Sequence, residues 1–195
     1  MNPILLDFPH EFETDRLLLR CPLPGDGSMV REAIVESHVE LKEWMPWAVN
    51  LPSVEESEEN VRRAHARFLL RDDLRLHMFE KLSGQFVGST GLHRINWPVG
   101  RFEIGYWIRT TASGQGLVTE AVHGLVDWAC EHLNARRIEI RCDARNLRSR
   151  KVAERAGFHL EAMLRQDEPD VEGLPSDTPI YVKLKLPNGT WGYAS

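Results

Sequence analysis

The chain has 195 residues, of which 42% are hydrophobic and 27% are charged. This length suits one domain with a buried core, and the composition argues against a disordered chain, a coiled coil or a small disulfide-bonded scaffold. The formal net charge of −5 disfavours a generally basic nucleic-acid-binding protein. No apolar run approaches the roughly 18 residues of a membrane-spanning helix, and the start of the chain lacks a signal-peptide pattern. We therefore predict a cytoplasmic protein without a nucleic-acid or membrane partner.

Cysteine and histidine spacings indicate neither a disulfide framework nor a metal site. Cys21, Cys130 and Cys142 form no C-x-x-C pair, so we interpret them as buried structural thiols in a reducing compartment. None of the eight histidines has the spacing of a zinc ligand pair. The prediction is a protein without a metal.

The first part of the chain predicts one strand and two helices. A strand is expected at 16–20, and Asp26 is expected to cap the helix that follows. A loop is expected at 43–47 because of its proline. Ser53 and Glu56 form the S-x-x-E pattern of a capping box, which opens the second helix.

The remaining segments alternate between strand and helix periods. Three strands with short turns predict an antiparallel meander at 75–81, 86–95 and 102–108. Apolar residues at helical spacing then predict a long amphipathic helix at 117–133. A strand at 138–140, a helix between Asn146 and Gly157, and strands at 158–164 and 180–186 complete the pattern. We predict a single mixed α/β domain over residues 1–195, with a core of about 13–186 and a C-terminal extension at 187–195.

The charges are distributed unevenly along the chain. Between Glu131 and Arg165 there are nine Lys/Arg against five Asp/Glu, a local net charge of +4, and the rest of the chain carries −9. This basic segment suits either an anion site or a solvated surface.

Gly114 and Gly116 lie between a predicted strand and a predicted helix. Glycines let successive N–H groups turn towards one point, and a helix N-terminus adds partial positive charge there. The segment matches neither a P-loop nor a dinucleotide fingerprint. On this evidence alone, anion binding and an ordinary strand-to-helix turn are equally good interpretations.

Six segments in this order resemble the GCN5-related N-acetyltransferases (GNAT), and in particular their ribosomal-protein N-terminal acetyltransferase (RimJ/RimL-like) branch. The segments lie at 13–20, 44–47, 103–107, 114–121, 137–141 and 146–161. The resemblance implies a mostly antiparallel twisted sheet with a central splayed strand pair, flanked by helices. It also implies acetyl transfer from acetyl-CoA to a primary amine by direct attack in a ternary complex. Thr111 departs from the family pattern, which usually has Gln or Arg there.

Carried over to this chain, the resemblance implies a coenzyme site built largely from backbone. Trp107, Ile108 and Arg109 would hold the pantetheine arm together with Asn146. The pyrophosphate would lie on the residues of the glycine loop and helix start: Ser113, Gly114, Gln115, Gly116, Leu117 and Val118. The nucleotide phosphates would meet basic side chains, for which an exposed helix face is the alternative: Arg148, Arg150 and Lys151.

The reaction needs a neutral amine and a protonated leaving thiol. A terminal α-amine has a pKa of roughly 7.7–8.0, against about 10.4 for lysine, so a carboxylate is a sufficient base. The resemblance favours Glu168 as that base, with Glu103 and Glu139 as alternatives that are also readily explained as structural. Ser149 matches a serine that donates to the coenzyme sulfur, although a helix-cap role is the alternative.

Acceptor recognition is the least specific part of the prediction. Trp44 and Trp47 are expected to wall the acceptor site or to anchor the core, and Tyr181 is a further hydroxyl with the same alternative. The acidic remainder suits a cationic acceptor, such as a ribosomal-protein N-terminus, a polyamine or an aminoglycoside. The cysteines lie outside the matched catalytic positions, which disfavours a covalent intermediate. A homodimer and a non-catalytic CoA-binding sensor are also compatible with the sequence.

Overall fold

Nine strands form one sheet, and five α-helices accompany it, within residues 2–187 and 189–193, which the computed structural model describes. Met1, Asn188, Ala194 and Ser195 lie outside the described residues, so the predicted extension at 187–195 is covered only in part. The strands are β1 (Glu11–Glu13), β2 (Leu17–Arg20), β3 (Leu74–Glu80), β4 (Phe86–Asn96), β5 (Arg101–Ile108), β6 (Arg137–Arg141), β7 (His159–Pro169), β8 (Pro175–Lys185) and β9 (Trp191–Gly192). The helices are α1 (Gly27–Glu36), α2 (His38–Leu41), α3 (Val54–Leu70), α4 (Leu117–Leu133) and α5 (Leu147–Arg155).

The sheet is antiparallel except at its centre. The strand order is β1-β2-β3-β4-β5-β6-β8-β7, and β9 pairs with β8. β5 and β6 are parallel, because α4 carries the chain from the end of one strand back to the start of the other. The predicted fold class, a mixed and mostly antiparallel sheet with flanking helices, is confirmed.

The central parallel pair separates after four residue pairs. β5 and β6 pair from Arg101 with Arg137 to Ile104 with Ile140. Beyond this point β5 continues to Ile108 against β4, whereas β6 continues against β8. The edge of β5 at 105–108 therefore faces an opening instead of a strand, as the splayed pair predicted.

The main core lies beneath α4. The helix buries one continuous apolar face, and its side chains pack against the strands in a single cluster that includes Leu117, Ala121, Leu125, Trp128, Ile104 and Ile138. Burying a side chain of this size contributes roughly 1.5–3 kcal/mol. The core therefore holds the N-terminus of α4 firmly beside the end of β5.

Side chains cap the starts of α3 and α5 as predicted, and at α5 the side chain of Asn146 accepts from the N–H of Ser149. Ser53 accepts from the N–H of Glu56, and the Glu56 carboxylate accepts from the N–H of Ser53, so the predicted capping box is present. Asp26 precedes α1 but makes no cap hydrogen bond, which corrects its predicted role. Its carboxylate is taken by Arg20 and His77.

The last two long strands extend further than predicted. β7 and β8 reach Pro169 and Pro175, so Gln166 to Pro169, whose acidic sequence also suited a solvated loop, lie in a strand. The carboxylate of Asp170 accepts from the N–H groups of Glu172 and Leu174 and closes the hairpin. No helix in the described part of the chain is long and apolar enough to cross a membrane.

Candidate active site

A cleft of about 1460 Å³ runs through the opening between β5 and β6. Its walls are the end of β5, the glycine loop with the start of α4, the N-terminal half of α5, and the segment between α2 and α3. The predicted site residues that line it are Trp44, Trp47, Trp107, Ile108, Ser113, Gly114, Gly116, Leu117, Val118, Asn146, Arg148, Ser149 and Lys151. The structure thus brings together residues from four separate parts of the sequence.

The glycine loop presents unpaired N–H groups to the cleft. Gly114 and Gly116 have φ values of +77° and +81°, which L side chains rarely adopt. Among the described residues, the N–H groups of Gly114, Gln115 and Gly116 have no acceptor, whereas the N–H of Ser113 donates to the carbonyl of Thr110. A Cβ at Gly114 would meet nothing within 4 Å. The loop therefore leaves both space and donors for an anion at the start of α4.

Arg16 and Glu120 brace this loop from behind. The Nε of Arg16 donates to Glu120 at 2.6 Å, and its Nη1 donates to the carbonyl of Gln115 at 3.0 Å. Burial of the Glu120 carboxylate raises its pKa, but hydrogen bonds from Thr14 and Arg16 outweigh burial, so the pKa lies below its usual value. Because Arg16 balances the Glu120 charge and holds the Gln115 carbonyl, the N–H groups on the other side of the loop stay available to an anion.

The register of β4 and β5 determines which backbone groups face the cleft. The N–H of Arg109 donates to the carbonyl of Val87 at 2.7 Å. Bonded and non-bonded pairs alternate in an antiparallel ladder, so Trp107, which is paired with Ser89, also directs its N–H and C=O towards β4. Tyr106 and Ile108 direct theirs towards the opening. Of the three residues predicted to hold the pantetheine arm, only Ile108 therefore offers its N–H to the cleft.

Ser149 lies at the start of α5 beside a tyrosine that sequence reasoning missed. The Tyr106 hydroxyl lies 3.0 Å from Ser149 Oγ and 3.1 Å from the Ser149 carbonyl oxygen. The N–H of Ser149 donates to Asn146 Oδ1 at 3.0 Å, so Asn146 caps α5. Burial raises the pKa of Tyr106, with the Ser149 hydrogen bond acting in the opposite direction. The phenol therefore remains a proton donor at neutral pH.

Cys142 is a second lining residue without a predicted role. It is half-buried and lines the main cleft. Burial raises the pKa of its thiol, although Ser149 and Arg150 act in the opposite direction. A protonated thiol is a weak nucleophile.

A smaller cavity of about 240 Å³ adjoins the cleft and contains two of the predicted carboxylates. Glu43, Trp44, Arg141, Cys142 and Asp143 line both cavities. Glu103 and Glu168 line only the smaller one, where Arg94 lies 3.7 Å from Glu103 and 3.3 Å from Glu168. The Glu168 side chain is 49% exposed, against 18% for Glu103.

The three carboxylates differ in their surroundings. Burial raises the pKa of Glu103, with Arg94 and Arg141 acting against it. Glu139 is buried and accepts hydrogen bonds from Arg137 at 2.5 Å and from Arg141 at 3.1 Å. Glu139 lines neither cavity, and its bonds to Arg137 and Arg141 suit the structural alternative.

The two tryptophans lie beside the cleft rather than in the core. Trp47 is 49% exposed, and its ring centroid is 5.9 Å from that of Trp107. Trp44 is half-buried where the two cavities meet. The structure therefore favours site walls over core anchors for this pair.

Besides Glu139, four predicted site residues line neither cavity, and the reason differs among them. The Arg109 guanidinium is buried and bound to Glu32 and Glu36 of α1. Gln115 turns its amide back to the Thr111 carbonyl. Arg150 donates to the Tyr181 hydroxyl and the Ala144 carbonyl, and Tyr181, only 1% exposed, donates to Glu154. These placements favour the core alternative for Tyr181 and leave the Arg150 guanidinium bonded within the protein.

Of the three basic residues predicted to meet the nucleotide phosphates, Arg148 and Lys151 line the cleft, and both are exposed and without an ion pair among the described residues. Arg145 also lines the cleft, but it is bound to Asp143 and Asp170. No group of three or more His, Cys, Asp or Glu in the described ranges is placed to hold a metal ion.

Sequence comparison relates the chain to one family model and to named relatives. Residues 16–159 match the family model described as an acetyltransferase (GNAT) domain. The chain is 30% identical to YdaF of Bacillus subtilis (strain 168) over 176 residues, which cover 88% of this chain and 92% of that protein. It is 30% identical to the ribosomal-protein-serine acetyltransferase of Escherichia coli (strain K12) over 152 residues, covering 72% and 84%.

Solved structures resemble the whole fold. The microcin C7 self-immunity acetyltransferase MccE, in complex with acetyl-CoA and AMP, superimposes with a TM-score of 0.84 at 23% identity, covering 91% of this chain and 97% of that one. RimL, a ribosomal L7/L12 alpha-N-protein acetyltransferase in complex with coenzyme A, gives a TM-score of 0.81 at 22% identity, covering 88% and 95%.

Proposed function

The chain belongs to the GNAT family of acetyl-CoA-dependent N-acetyltransferases, and from this premise we propose that it acetylates the N-terminal α-amine of a protein such as a ribosomal protein. One observation carries the proposal: the edge of β5 at 105–108 opens beside unpaired N–H groups at the start of α4. This combination suits a thioester on a long arm that ends in a pyrophosphate. The named activities of the E. coli protein and of RimL support the protein acceptor.

The residues at the cleft fit acetyl-CoA as cosubstrate. Gly114, Gln115, Gly116 and the first turn of α4 would hold the pyrophosphate through N–H groups, and Arg148 and Lys151 would meet the nucleotide phosphates. The outward N–H and C=O groups of Tyr106 and Ile108 would pair with the pantetheine arm. The loop needs no side chain at Thr111 for this role, which explains how the chain tolerates its departure from the family pattern.

Two groups would stabilise the developing charges of the transfer. When the amine attacks the thioester carbon, the carbonyl oxygen becomes negative, and the N–H of Ile108, which the register directs into the opening, would donate to it. As the bond to sulfur breaks, the Ser149 hydroxyl would donate to the leaving thiolate. Tyr106 would supply the relay, because its phenol stays protonated and lies 3.0 Å from Ser149 Oγ.

Glu168 is the proposed base. It lines the smaller cavity next to the cleft and is the more exposed of the two carboxylates there, so it can meet an incoming amine and pass the proton to water. Glu103 is less exposed and lies within 4 Å of two guanidinium groups, those of Arg94 and Arg141. We therefore assign Glu103 to the electrostatics of the cavity. Trp44 would form the wall between the cavities and orient the acceptor.

A coupled assay of thiol release tests the proposal. The purified chain is supplied with acetyl-CoA and a panel of acceptors: ribosomal-protein N-terminal peptides, spermidine and an aminoglycoside. We expect turnover with peptides, and mass spectrometry should locate the acetyl group on the α-amine and not on a lysine. Turnover with the small amines alone would contradict the proposal of a protein acceptor and favour a small-amine acetyltransferase. Binding of the coenzyme without turnover on any acceptor would favour a non-catalytic CoA-binding sensor.

A further inference from the structure

An arginine without an ion-pair partner lies in the part of the cleft that faces α3. Arg75 of β3 lines the cleft together with Asn60, and its Nη1 donates to Asn60 Oδ1 at 2.6 Å. This bond uses one of the five N–H donors of the guanidinium. Among the described residues, no carboxylate lies within 4.0 Å of it. The remaining donors therefore have no protein acceptor.

Partial burial makes a guanidinium with unpaired donors energetically unfavourable. Arg75 is half-buried, and burial lowers the pKa of its guanidinium, with Asp73 acting in the opposite direction. An arginine stays charged at neutral pH even so. A partly desolvated cation with free donors is usually paired with an oxygen-bearing group. Other arginines of this sheet are paired in that way, such as Arg20 with Asp26 and Arg137 with Glu161.

The register places Arg75 on the same face of the sheet as Gly105, where the opening between β5 and β6 begins. Arg75 lies opposite Gly91, and Gly91 lies opposite Gly105. Directly opposed residues project to the same face of a sheet, and three neighbouring strands span about 10 Å. Gly91 has no side chain to stand between Arg75 and Gly105. The His93 ring also lies on this face, 2.9 Å from where a Cβ of Gly105 would be. Arg75 and His93 both line the main cleft, so the guanidinium can reach a molecule that lies in the cleft beside this ring.

We propose that Arg75, oriented by Asn60, binds the acyl oxygen next to the acceptor amine and so selects α-amino acyl compounds over polyamines. This inference rests on the proposed function and specifies its acceptor class. The amine would enter the carboxylate cavity while the adjacent carbonyl or carboxylate meets Arg75. A polyamine has no such oxygen and would be repelled by the unpaired cation, so a single site both attracts one class and disfavours the other.

Arg75→Met tests the proposal, because methionine keeps most of the apolar stem and removes the donors. We expect the kcat/KM for a serine-initiated peptide to fall at least about tenfold, since a hydrogen bond to a charged group contributes about 1.5–3 kcal/mol. The KM for acetyl-CoA should not change, and the kcat/KM for spermidine should stay equal or rise. Free serine, which offers a carboxylate, distinguishes that source of the oxygen from a peptide carbonyl.

Two further variants keep the test decisive if Arg75→Met is poorly folded. Asn60→Ala leaves the charge and should give a smaller loss with the same selectivity. Arg63→Met, on the exposed surface of α3, should change neither acceptor. If kcat/KM of Arg75→Met falls equally with peptide and spermidine, or does not fall with the peptide, the proposed role of Arg75 is overturned while the proposed function stays intact. A wild-type protein without turnover on any acceptor would overturn both.

Discussion

The Tyr106 hydroxyl contacts both the Oγ and the carbonyl oxygen of Ser149, at 3.0 and 3.1 Å. Tyr106 belongs to the separated edge of β5, and Ser149 to the first turn of α5. The contact therefore joins the two walls of the cleft at one point. It fixes the hydroxyl that the proposed mechanism aims at the leaving sulfur.

Ser149→Ala should lower kcat by at least about tenfold, because a positioned proton donor contributes roughly 10²–10⁴-fold. The KM for acetyl-CoA should change little, since the backbone groups of β5 and the glycine loop remain. Tyr106→Phe should produce a smaller loss of the same kind. Steady-state kinetics check both, with Ser28→Ala on α1 as a control for serine loss.

The double variant separates a relay from two independent contributions. If Tyr106 acts through Ser149, adding Tyr106→Phe to Ser149→Ala should cost almost nothing more. Fully multiplicative losses would contradict the relay. An unchanged kcat in Ser149→Ala would remove the serine from the mechanism.

Gly114→Ala should raise the KM for acetyl-CoA several-fold. A Cβ there has space, so the cost comes from the left-handed backbone, about 1–2 kcal/mol for an L residue. The strain would be relieved by turning the loop N–H groups away from the phosphates. Isothermal titration of CoA measures the effect directly.

Gly84→Ala is the matched control for that variant. Gly84 has a φ of +68° and equally open surroundings, but it lies in the turn between β3 and β4. It should lose comparable stability with no change in CoA affinity. Equal affinity losses in the two variants would indicate a general effect of strain rather than a phosphate site.

Glu168→Gln should lower kcat/KM for a peptide by about 10²-fold or more near neutral pH and leave CoA affinity unchanged. The amide cannot accept the amine proton, so activity should partly return at high pH, where the free amine is already neutral. Glu172→Gln, on the hairpin turn, is the control. If Glu103→Gln were the more damaging change and Glu168→Gln nearly neutral, the base would be Glu103.

Acid should destabilise the protein through the Asp26 cluster. Burial opposes the shift, but hydrogen bonds from His77 and Arg20 lower the pKa of Asp26 far below its usual value. The folded state therefore binds a proton at Asp26 less readily than the unfolded state does. The contribution of ionised Asp26 to the unfolding free energy is complete above about pH 4 and disappears as the pH falls further. Burial lowers the pKa of His77, although Asp26 acts in the opposite direction. Protonation of His77 therefore favours the unfolded state, and this loss of unfolding free energy begins as the pH falls below about 6.5.

Asp26→Asn should cost roughly 3 kcal/mol of unfolding free energy at pH 7, because it leaves Arg20 and His77 without their carboxylate. Its unfolding free energy should fall less steeply below pH 4 than that of the wild type. Urea titrations across pH 3–7 provide the measurement, with Asp15→Asn as the exposed control. Parallel pH curves for variant and wild type would contradict this account.

Local patterns predicted the elements whose signals are local. The capping box at Ser53 and Glu56, the apolar period of α4 and the alternation of the central strands depend on neighbours a few residues apart. The far ends of β7 and β8 were missed because their acidic and proline-rich sequence suits a loop. Only pairing with each other makes them strands, and that pairing is invisible to a local reading.

The parts of the site that depend on backbone conformation were predictable from the sequence. The parts that depend on side-chain orientation were less predictable, because tertiary contacts determine that orientation. The glycine loop lines the cleft, and its geometry follows from residue type. Charge alone could not tell that Arg109 turns to α1 and Arg150 to Tyr181. Tyr106 was missed because its importance comes from the separation of β5 and β6, although its place in the segment 103–107 was a signal.

The early separation of β5 from β6 leaves the protein's own sheet unfinished. The outward amides of Tyr106 and Ile108 have lost the neighbour that the rest of the strand retains, and a bound thioester arm would stand in for it. The cosubstrate would then act as a temporary strand as well as a reactant. Binding of the cosubstrate would complete the hydrogen-bond ladder and make the centre of the sheet more rigid. It would also raise the unfolding free energy of the protein, so the state that is ready to react would be the more stable one.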